Sequence, residues 1–204
     1  MRRFLNDAFR LALLALACAG CAAPAPVHFH TLLQAEPPAH REGAPEPSNG
    51  PAIVLEPVKV PAQVDQPQWL IRLPDDTLAM LEQERWASPL RDELHQALLE
   101  RLTRRFGAVD ARSAAPGGTL WRVRVEVTRF ESRPGEAWLE SIWVIAPRSV
   151  EAPVLRCTSS LRESAGAGMP ALAEAHRRAL ARLGDAIGEQ LLALQRGARA
   201  PCPT

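Results

Sequence analysis

Two stretches of the chain carry apolar residues every three or four positions, and each predicts an amphipathic helix with one face for a core. Ser88 and Pro89 precede the first stretch as a cap and a first helical residue, and Gly107 follows its end. The second stretch runs from Pro170 to about Leu194. The apolar stripes are Leu90, Leu94, Ala97, Leu98, Leu102 and Phe106 in the first helix, and Ala173, His176, Leu180, Leu183, Ile187, Leu191 and Leu194 in the second.

Strict alternation of apolar and polar residues predicts strands elsewhere. Residues 120–129 place Trp121, Val123, Val125 and Val127 on one side and polar residues on the other. Residues 137–145 are partly apolar on both sides, so this strand is either central in a sheet or uses its second face for a partner. Alternation returns in 153–162, where Cys157 should point toward the helices.

Shorter strands are predicted at 29–33, 52–60 and 69–73, and Pro57 suggests an edge or a bulge in the second of these. The order is therefore strands, helix, three-stranded meander, helix. This order predicts an α+β fold, a two-layer sandwich of a mainly antiparallel sheet with two long helices on one face. We assign the domain to 29–196, with a Pro-rich loop at 34–50 and a C-terminal tail at 197–204.

The outward side of the predicted sheet is rich in arginine and poor in acidic residues. Such a face is either solvated or used to bind a partner. The residues concerned are Arg122, Arg124, Arg129, Arg156 and Arg162.

The N-terminus predicts an export signal over residues 1–20, because two arginines precede an apolar run that ends in small residues. The run is shorter than the about 20 residues of a membrane-spanning helix. Ala19-Gly20-Cys21 resembles the lipobox of bacterial lipoproteins, which implies a lipid anchor on Cys21 and a tether over 21–28. Cys18 offers a second box, and an ordinary cut after Ala23 or Ala25 is the remaining alternative. Ala22 in place of aspartate implies the outer membrane, facing the periplasm.

The 24 basic and 23 acidic residues nearly cancel and interleave along the helices, so no nucleic-acid partner is expected. The sequence has no Gly-x-Ser-x-Gly, phosphate loop or His-Glu-x-x-His, and we expect no enzyme and no cofactor. His28 and His30 share a strand face without a third ligand at suitable spacing, so no metal site is expected. The carboxylates Asp75, Asp76, Glu82 and Glu84 are assigned to solvated loop and helix-start positions.

Two cysteines remain in the exported part of the chain, Cys157 and Cys202. An oxidising compartment favours a disulfide between them. The alternative is two unpaired cysteines, with Cys157 acting as a small core hydrophobe.

Two separated motifs carry a resemblance to a known family. Residues 58–68 read Val-Lys-Val-Pro-Ala-Gln-Val-Asp-Gln-Pro-Gln, and residues 85–90 read Arg-Trp-Ala-Ser-Pro-Leu. Both resemble segments of the PqiC/YmbA-type lipoproteins. The resemblance implies a non-enzymatic auxiliary lipoprotein of an MCE-type phospholipid transport system, which forms a homo-oligomeric ring and docks a periplasmic MCE protein to the outer membrane. A structural or assembly lipoprotein with no transport role is the alternative.

The residues themselves suggest where docking could occur. Pro61 and Pro67 bracket a stiff segment whose Asp65 can cap its own backbone, and a rigid loop loses little entropy on binding. Trp86 is either a hydrophobic staple on the following helix or an interface anchor. Pro61, Asp65, Pro67 and Trp86 are therefore the hypothetical docking residues.

Overall fold

The computed structural model of the chain describes residues 25–34, 50–112, 119–148, 154–198 and 201–202. The predicted signal peptide at 1–20, both candidate acylation sites, Cys18 and Cys21, and nearly all of the Pro-rich loop at 34–50 lie outside the described residues.

Five strands form the larger sheet: β2 (Ala52–Leu55), β5 (Val109–Asp110), β6 (Leu120–Arg133), β7 (Glu136–Pro147) and β8 (Leu155–Ser164). Their order across the sheet is β5-β2-β6-β7-β8. The long strands β6, β7 and β8 form an antiparallel meander, and β2 pairs in parallel with both β5 and β6. A register shift between Val127 and Arg129 interrupts the alternation of β6, after which Phe130 and Ser132 point inward.

Three strands form a second, smaller sheet in the order β1-β4-β3. Here β1 (His28–His30) pairs in parallel with β4 (Leu78–Trp86), and β3 (Gln68–Arg72) pairs with β4 in the antiparallel sense. A short 3-10 helix, Ala62–Val64, lies on the connection from β2 to β3.

The helices α1 (Leu90–Phe106) and α2 (Met169–Gln195) share one hydrophobic core with the inner face of the five-stranded sheet. Gly107 adopts a positive φ of 63° and ends α1, as its position in the sequence predicts. The two helices approach closely where α2 carries glycine, because a Cβ on Gly188 would lie 2.3 Å from the ring of Phe106. The buried stripes of both helices match the predicted ones, except that Ala97, Phe106 and Leu194 are half-buried.

The α+β class and the two helices on one face are confirmed, but both sheets are mixed, not mainly antiparallel throughout. The β4 strand is absent from the sequence prediction, which assigned Glu82 and Glu84 to loop and helix-start positions; both lie within β4. The sequence 78–84 does not alternate cleanly, so periodicity gave no signal there. β2 ends before Pro57, and β7 is central, the first of its two predicted alternatives.

The start of α1 also differs from the prediction. Pro89 is the N-cap and not the first helical residue, and Ser88 makes no side-chain cap. Its hydroxyl instead donates to the Glu93 carboxylate over 2.9 Å. The partner of the Ser88 side chain is therefore the buried Glu93 carboxylate, and not a backbone N–H in the first turn of the helix.

Candidate docking site

The segment from Pro61 to Pro67 is an exposed loop fixed from beneath. Pro67 is exposed, whereas the side chain of Val64 is buried in the core. The backbone N–H of Trp86 donates to the Pro67 carbonyl over 2.9 Å. The Asp65 carboxylate accepts from Arg91 on α1, with Nε to Oδ1 at 3.1 Å, so it pairs with another element and does not cap its own backbone. The loop is thus held at its Pro67 end and in its middle.

Trp86 lies in the core beneath this loop and is 4% exposed. We call Trp69, Trp86, Phe130 and His176 the aromatic cluster. Trp69 stacks on Trp86 with ring centroids 4.0 Å apart, and Phe130 stacks on His176 at 4.1 Å. Burial of this kind favours the packing role of Trp86 over the role of an interface anchor, since a partner would have to open the core to reach it.

A hydrogen-bonded chain runs through the aromatic cluster. The indole N–H of Trp69 donates to the Ser132 hydroxyl oxygen over 2.7 Å, and that hydroxyl lies 2.8 Å from Nε2 of His176. The Ser132 hydroxyl thus links Trp69 to His176, whose other ring nitrogen, Nδ1, is buried without a hydrogen-bond partner among the described residues. Burial lowers the pKa of His176 to about 3, so the ring stays neutral.

The strand nearest the N-terminus is attached to the domain by two carboxylates. Glu93 at the start of α1 is buried and accepts from the Thr31 hydroxyl at 2.6 Å and the Leu32 N–H at 2.8 Å. Glu84 of β4 lies 2.5 Å from Nε2 of His30 and 3.1 Å from Nδ1 of His28. Burial raises the pKa of Glu84, but the hydrogen bonds and charges of these two histidines outweigh it and leave the pKa below its ordinary value. His28 and His30 thus serve to hold β1.

The outer face of the five-stranded sheet carries the predicted arginines beside half-buried apolar side chains of β7. Arg129 and Arg162 lie on the ring of Trp138, at 4.0 and 3.6 Å from its centroid. Arg122 and Arg124 both pair with Glu56. The face is therefore partly neutralised by a carboxylate from a neighbouring segment, which the strand pattern alone could not show.

A cavity of about 290 Å³ lies between the two helices and is lined by arginines and small apolar residues. Arg101 donates twice to Asp185, at 2.8 Å for each bond, and Arg105 pairs with the same carboxylate. Arg101 and Arg105 are thus engaged in cross-helix ion pairs, whereas Arg104 and Arg177 at the same cleft pair with Glu100 and Glu174 of their own helices.

Cys157 and Cys202 are joined by a disulfide in the structure, with Cα atoms 5.5 Å apart. Pro201 lies beside α2, where the Gln190 amide donates to its carbonyl over 3.0 Å. Cys157 itself is buried and points toward the helix layer, as the alternation predicts.

The structure gathers Pro61, Asp65 and Pro67 on one loop and sets Trp86 below them. Sequence reasoning missed Trp69 and Glu93 as residues that hold this region, because their partners are distant in the chain. Within the described ranges, no three His, Cys, Asp or Glu side chains are arranged to hold a metal ion. In the same ranges no helix combines the length and apolar character needed to cross a bilayer.

Comparison with known proteins identifies the family and the fold. The family described as ABC-type transport auxiliary lipoprotein component matches residues 30–188. No curated protein matches the chain. A crystal structure of an uncharacterized protein superimposes with a TM-score of 0.65 at 18% identity, covering 82% of this chain and 99% of the other. A crystal structure of a protein from Xanthomonas campestris gives 0.61 at 17% identity, covering 84% and 98%. At such identities, these two structures show a shared fold.

Proposed function

This chain belongs to the family of ABC-type transport auxiliary lipoprotein components, and from that premise we propose a more specific role. It is the outer-membrane lipoprotein subunit of an MCE-type phospholipid transport system. It docks a periplasmic MCE protein to the outer membrane and works as a homo-oligomeric ring without catalysing a reaction. The observation that carries the proposal is the loop 61–67, whose contacts hold it rigid before any partner binds.

The anchor proposed at Cys21 would hold the domain close to the bilayer. The chain from Cys21 to His28 reaches about 25 Å when fully extended. From there, β1 is fixed to the body of the domain by Glu84 and Glu93. A domain tethered in this way suits a docking role at the membrane face and does not suit a carrier that must cross the periplasm.

The exposed side of the loop offers the docking surface. Ala62, Gln63 and Pro67 are exposed, whereas Val64 and the Asp65–Arg91 ion pair hold the backbone from below. A loop ordered in advance loses little conformational entropy on association. Contact with the MCE protein is accordingly assigned to these exposed residues, and Trp86 supports them from the core.

Binding of the full-length lipidated protein in detergent to a purified MCE protein tests the proposal. Gln63→Arg changes the exposed side of the loop and should weaken binding about tenfold or more. Gln83→Arg makes the same change at an exposed position of β4 and should leave binding unchanged. Failure of the unaltered protein to retain an MCE protein, together with cross-linking that shows only monomer, would contradict the proposal.

Lipid content separates transport from a purely structural role. If the subunit takes part in transport, the complex with its MCE protein should retain phospholipid through purification. A complex that assembles fully and holds no phospholipid would favour the structural or assembly lipoprotein.

A further inference from the structure

The β8 strand lies at one side of the five-stranded sheet, and β7 is its strand neighbour among the described residues. The two strands pair without a register shift from Ile145 opposite Leu155 to Glu136 opposite Ser164. In an antiparallel ladder, every second residue turns its N–H and C=O away from the neighbouring strand. Half of the backbone groups of β8 therefore point to the free side.

The contacts of β8 show which residues these are. The Cys202 sulfur lies 3.3 Å from the Arg156 carbonyl oxygen, and Arg178 donates to the Ser164 carbonyl. Both carbonyls face away from β7. Because the direction of the backbone groups alternates along a strand, the N–H and C=O groups of Thr158, Ser160 and Arg162 also face away from β7. Cys202 and Arg178 cover the two ends of the strand, and no described residue pairs with the backbone of the three residues between them, which form an open edge.

A groove of about 610 Å³ runs beside this open edge. Half-buried Leu161 and Ala186 contribute apolar surface, and Arg182, Asp185 and Glu189 of α2 line its side. The groove thus combines a row of free backbone groups with apolar and charged side chains. An extended polypeptide satisfies such an edge by adding a strand to the sheet.

Charge indicates what kind of strand fits. Arg156 and Arg162 point to the outer face of the sheet and are exposed, and no carboxylate of the described residues forms an ion pair with either. They are six positions apart, which is about 20 Å along a strand. The Arg162 guanidinium lies on the Trp138 ring of β7 and keeps its positive charge there. A strand added beside β8 would carry alternate side chains on the same face as both arginines, and acidic side chains are the ones that their charge would stabilise.

The same arginines disfavour a second copy of this chain as the added strand. Two copies related by a twofold axis through the sheet would pair outward residues with outward residues. The twofold axis could pass through the strand at any position from Thr158 to Arg162. In each case an arginine of one copy would lie directly opposite an arginine of the other copy, or two residues along the strand from that opposite position. Like charges at those positions are destabilising.

We propose that the open edge of β8 binds an extended, acidic segment of a partner protein as a sixth strand of the sheet. The surface is built from elements other than the loop 61–67. The proposal therefore stands independently of docking to an MCE protein.

Backbone pairing is tested with fluorescein-labelled decapeptides of alternating valine and glutamate and the unaltered protein, at low salt. Two N-methylated forms are compared, one blocked on the peptide edge that would face β8 and one on the opposite edge. The parent peptide should bind, the first form should bind about tenfold or more weakly, and the second should bind like the parent. Equal binding of the two forms, or no binding at about 1 mM, would overturn strand addition.

Charge recognition is tested with two matched double variants. Arg156→Gln with Arg162→Gln should weaken binding of the parent peptide by about fivefold or more. Arg122→Gln with Arg124→Gln removes the same charge from the same face, but on β6 and away from the edge, and should leave binding unchanged. An equal loss in both variants would overturn the placement at β8.

Sedimentation of the unaltered protein and of Ser160→Pro addresses self-association. Proline removes a backbone donor that the added strand needs. The unaltered protein should not associate through this edge, so its oligomeric state and that of Ser160→Pro should agree. Self-association that is lost in Ser160→Pro, in a variant with an unchanged circular dichroism spectrum, would show that a second copy takes the edge and would overturn the choice of partner.

Discussion

Each of the two sheets buries a tryptophan whose indole N–H donates to a serine hydroxyl, but the two bonds connect different things. Trp143 of β7 donates to Ser159 over 3.0 Å, and these residues lie on neighbouring strands of one sheet. Trp69 of β3 donates to Ser132 over 2.7 Å, and this bond joins the three-stranded sheet to the five-stranded one. The larger sheet is therefore held by local pairing, whereas the smaller depends on contacts to other elements.

Further contacts of the smaller sheet also join it to other elements. β3 is tied to β6 by the ion pair of Arg72 and Glu131 at 3.0 Å, and the segment after β1 is tied to α1 by Glu93. The strands themselves are short, with three, five and nine residues. A sheet of this size is stable when it packs on another element, and the aromatic cluster supplies that packing.

The largest effect is expected for removal of Trp69. Trp69→Ala should lower the free energy of unfolding by about 3–5 kcal/mol, because it deletes a buried ring and leaves a cavity against Trp86. The amides of β3 and β4 should exchange with deuterium through a local opening in which β6 and β7 stay protected. Chemical denaturation and residue-resolved hydrogen exchange measure the two effects.

Trp143→Ala is the matched variant in the larger sheet and sharpens the comparison. Its loss of stability should be similar, since Trp143 is also fully buried. Exchange should then increase throughout the molecule. If both variants open the same set of amides, the smaller sheet does not depend on contacts between sheets in the way described here.

The disulfide is expected to have the next largest effect. Cys202→Ser should reduce the free energy of unfolding by about 4 kcal/mol or less, because the bond closes a loop with a sequence separation of 45. Cys157 then remains as a small buried side chain. Denaturation of oxidised and reduced protein measures the loss. Two reactive thiols in the unfolded, oxidised wild-type protein would show that the pair does not form.

Acid should destabilise the protein through His176. Its folded pKa of about 3 lies below the ordinary value of 6.5, so the unfolded chain binds a proton that the folded protein excludes. The stabilising contribution of the neutral ring is complete above pH 6.5. Between pH 6.5 and pH 3 the free energy of unfolding falls by about 1.4 kcal/mol per pH unit, which is a loss of roughly 2 kcal/mol by pH 5. His176→Gln should remove this part of the slope. An unchanged slope in that variant would place the acid sensitivity elsewhere.

The smallest effect is expected on the outer face of the larger sheet. Arg162→Gln removes one of the two cations that lie on Trp138 and should reduce stability by about 0.5–1 kcal/mol. Arg196→Gln, at an exposed position just after α2, serves as the matched control and should change stability less. A loss of several kcal/mol for Arg162→Gln would show that this face is part of the stabilising core.

Sequence patterns predicted β6, β8 and both helices because each has a regular period, and β7 was predicted from apolar residues on both faces. The short β5 was not predicted. The inward residues of β6 and the stripes of α1 and α2 follow from alternation and helical spacing alone. The smaller sheet was only partly predicted. The strand predicted at 29–33 overlaps β1, but β4 mixes apolar and charged residues without a period, so no pattern identifies it.

The candidate docking site was likewise predicted only in part from the sequence. Pro61 and Pro67 indicate a stiff loop from the sequence, but its support from Arg91 and from the backbone of Trp86 depends on residues far along the chain. The role of Trp86 was open until its burial was known. Local sequence restricts φ and ψ at proline, whereas burial depends on which elements meet.

The sequence by itself determined the periodic elements, their order, and the inward direction of Cys157, because hydrophobic spacing and pleat geometry act over a few residues. Only the tertiary structure decided the mixed pairing of the sheets, the aromatic cluster with its neutral His176, the carboxylates that hold β1, and the open edge of β8. These features depend on contacts between distant positions, such as Ser132 with His176, 44 residues apart, and Trp69 with Ser132, 63 residues apart. Periodicity carries no information over such distances, and packing of the whole chain decides them.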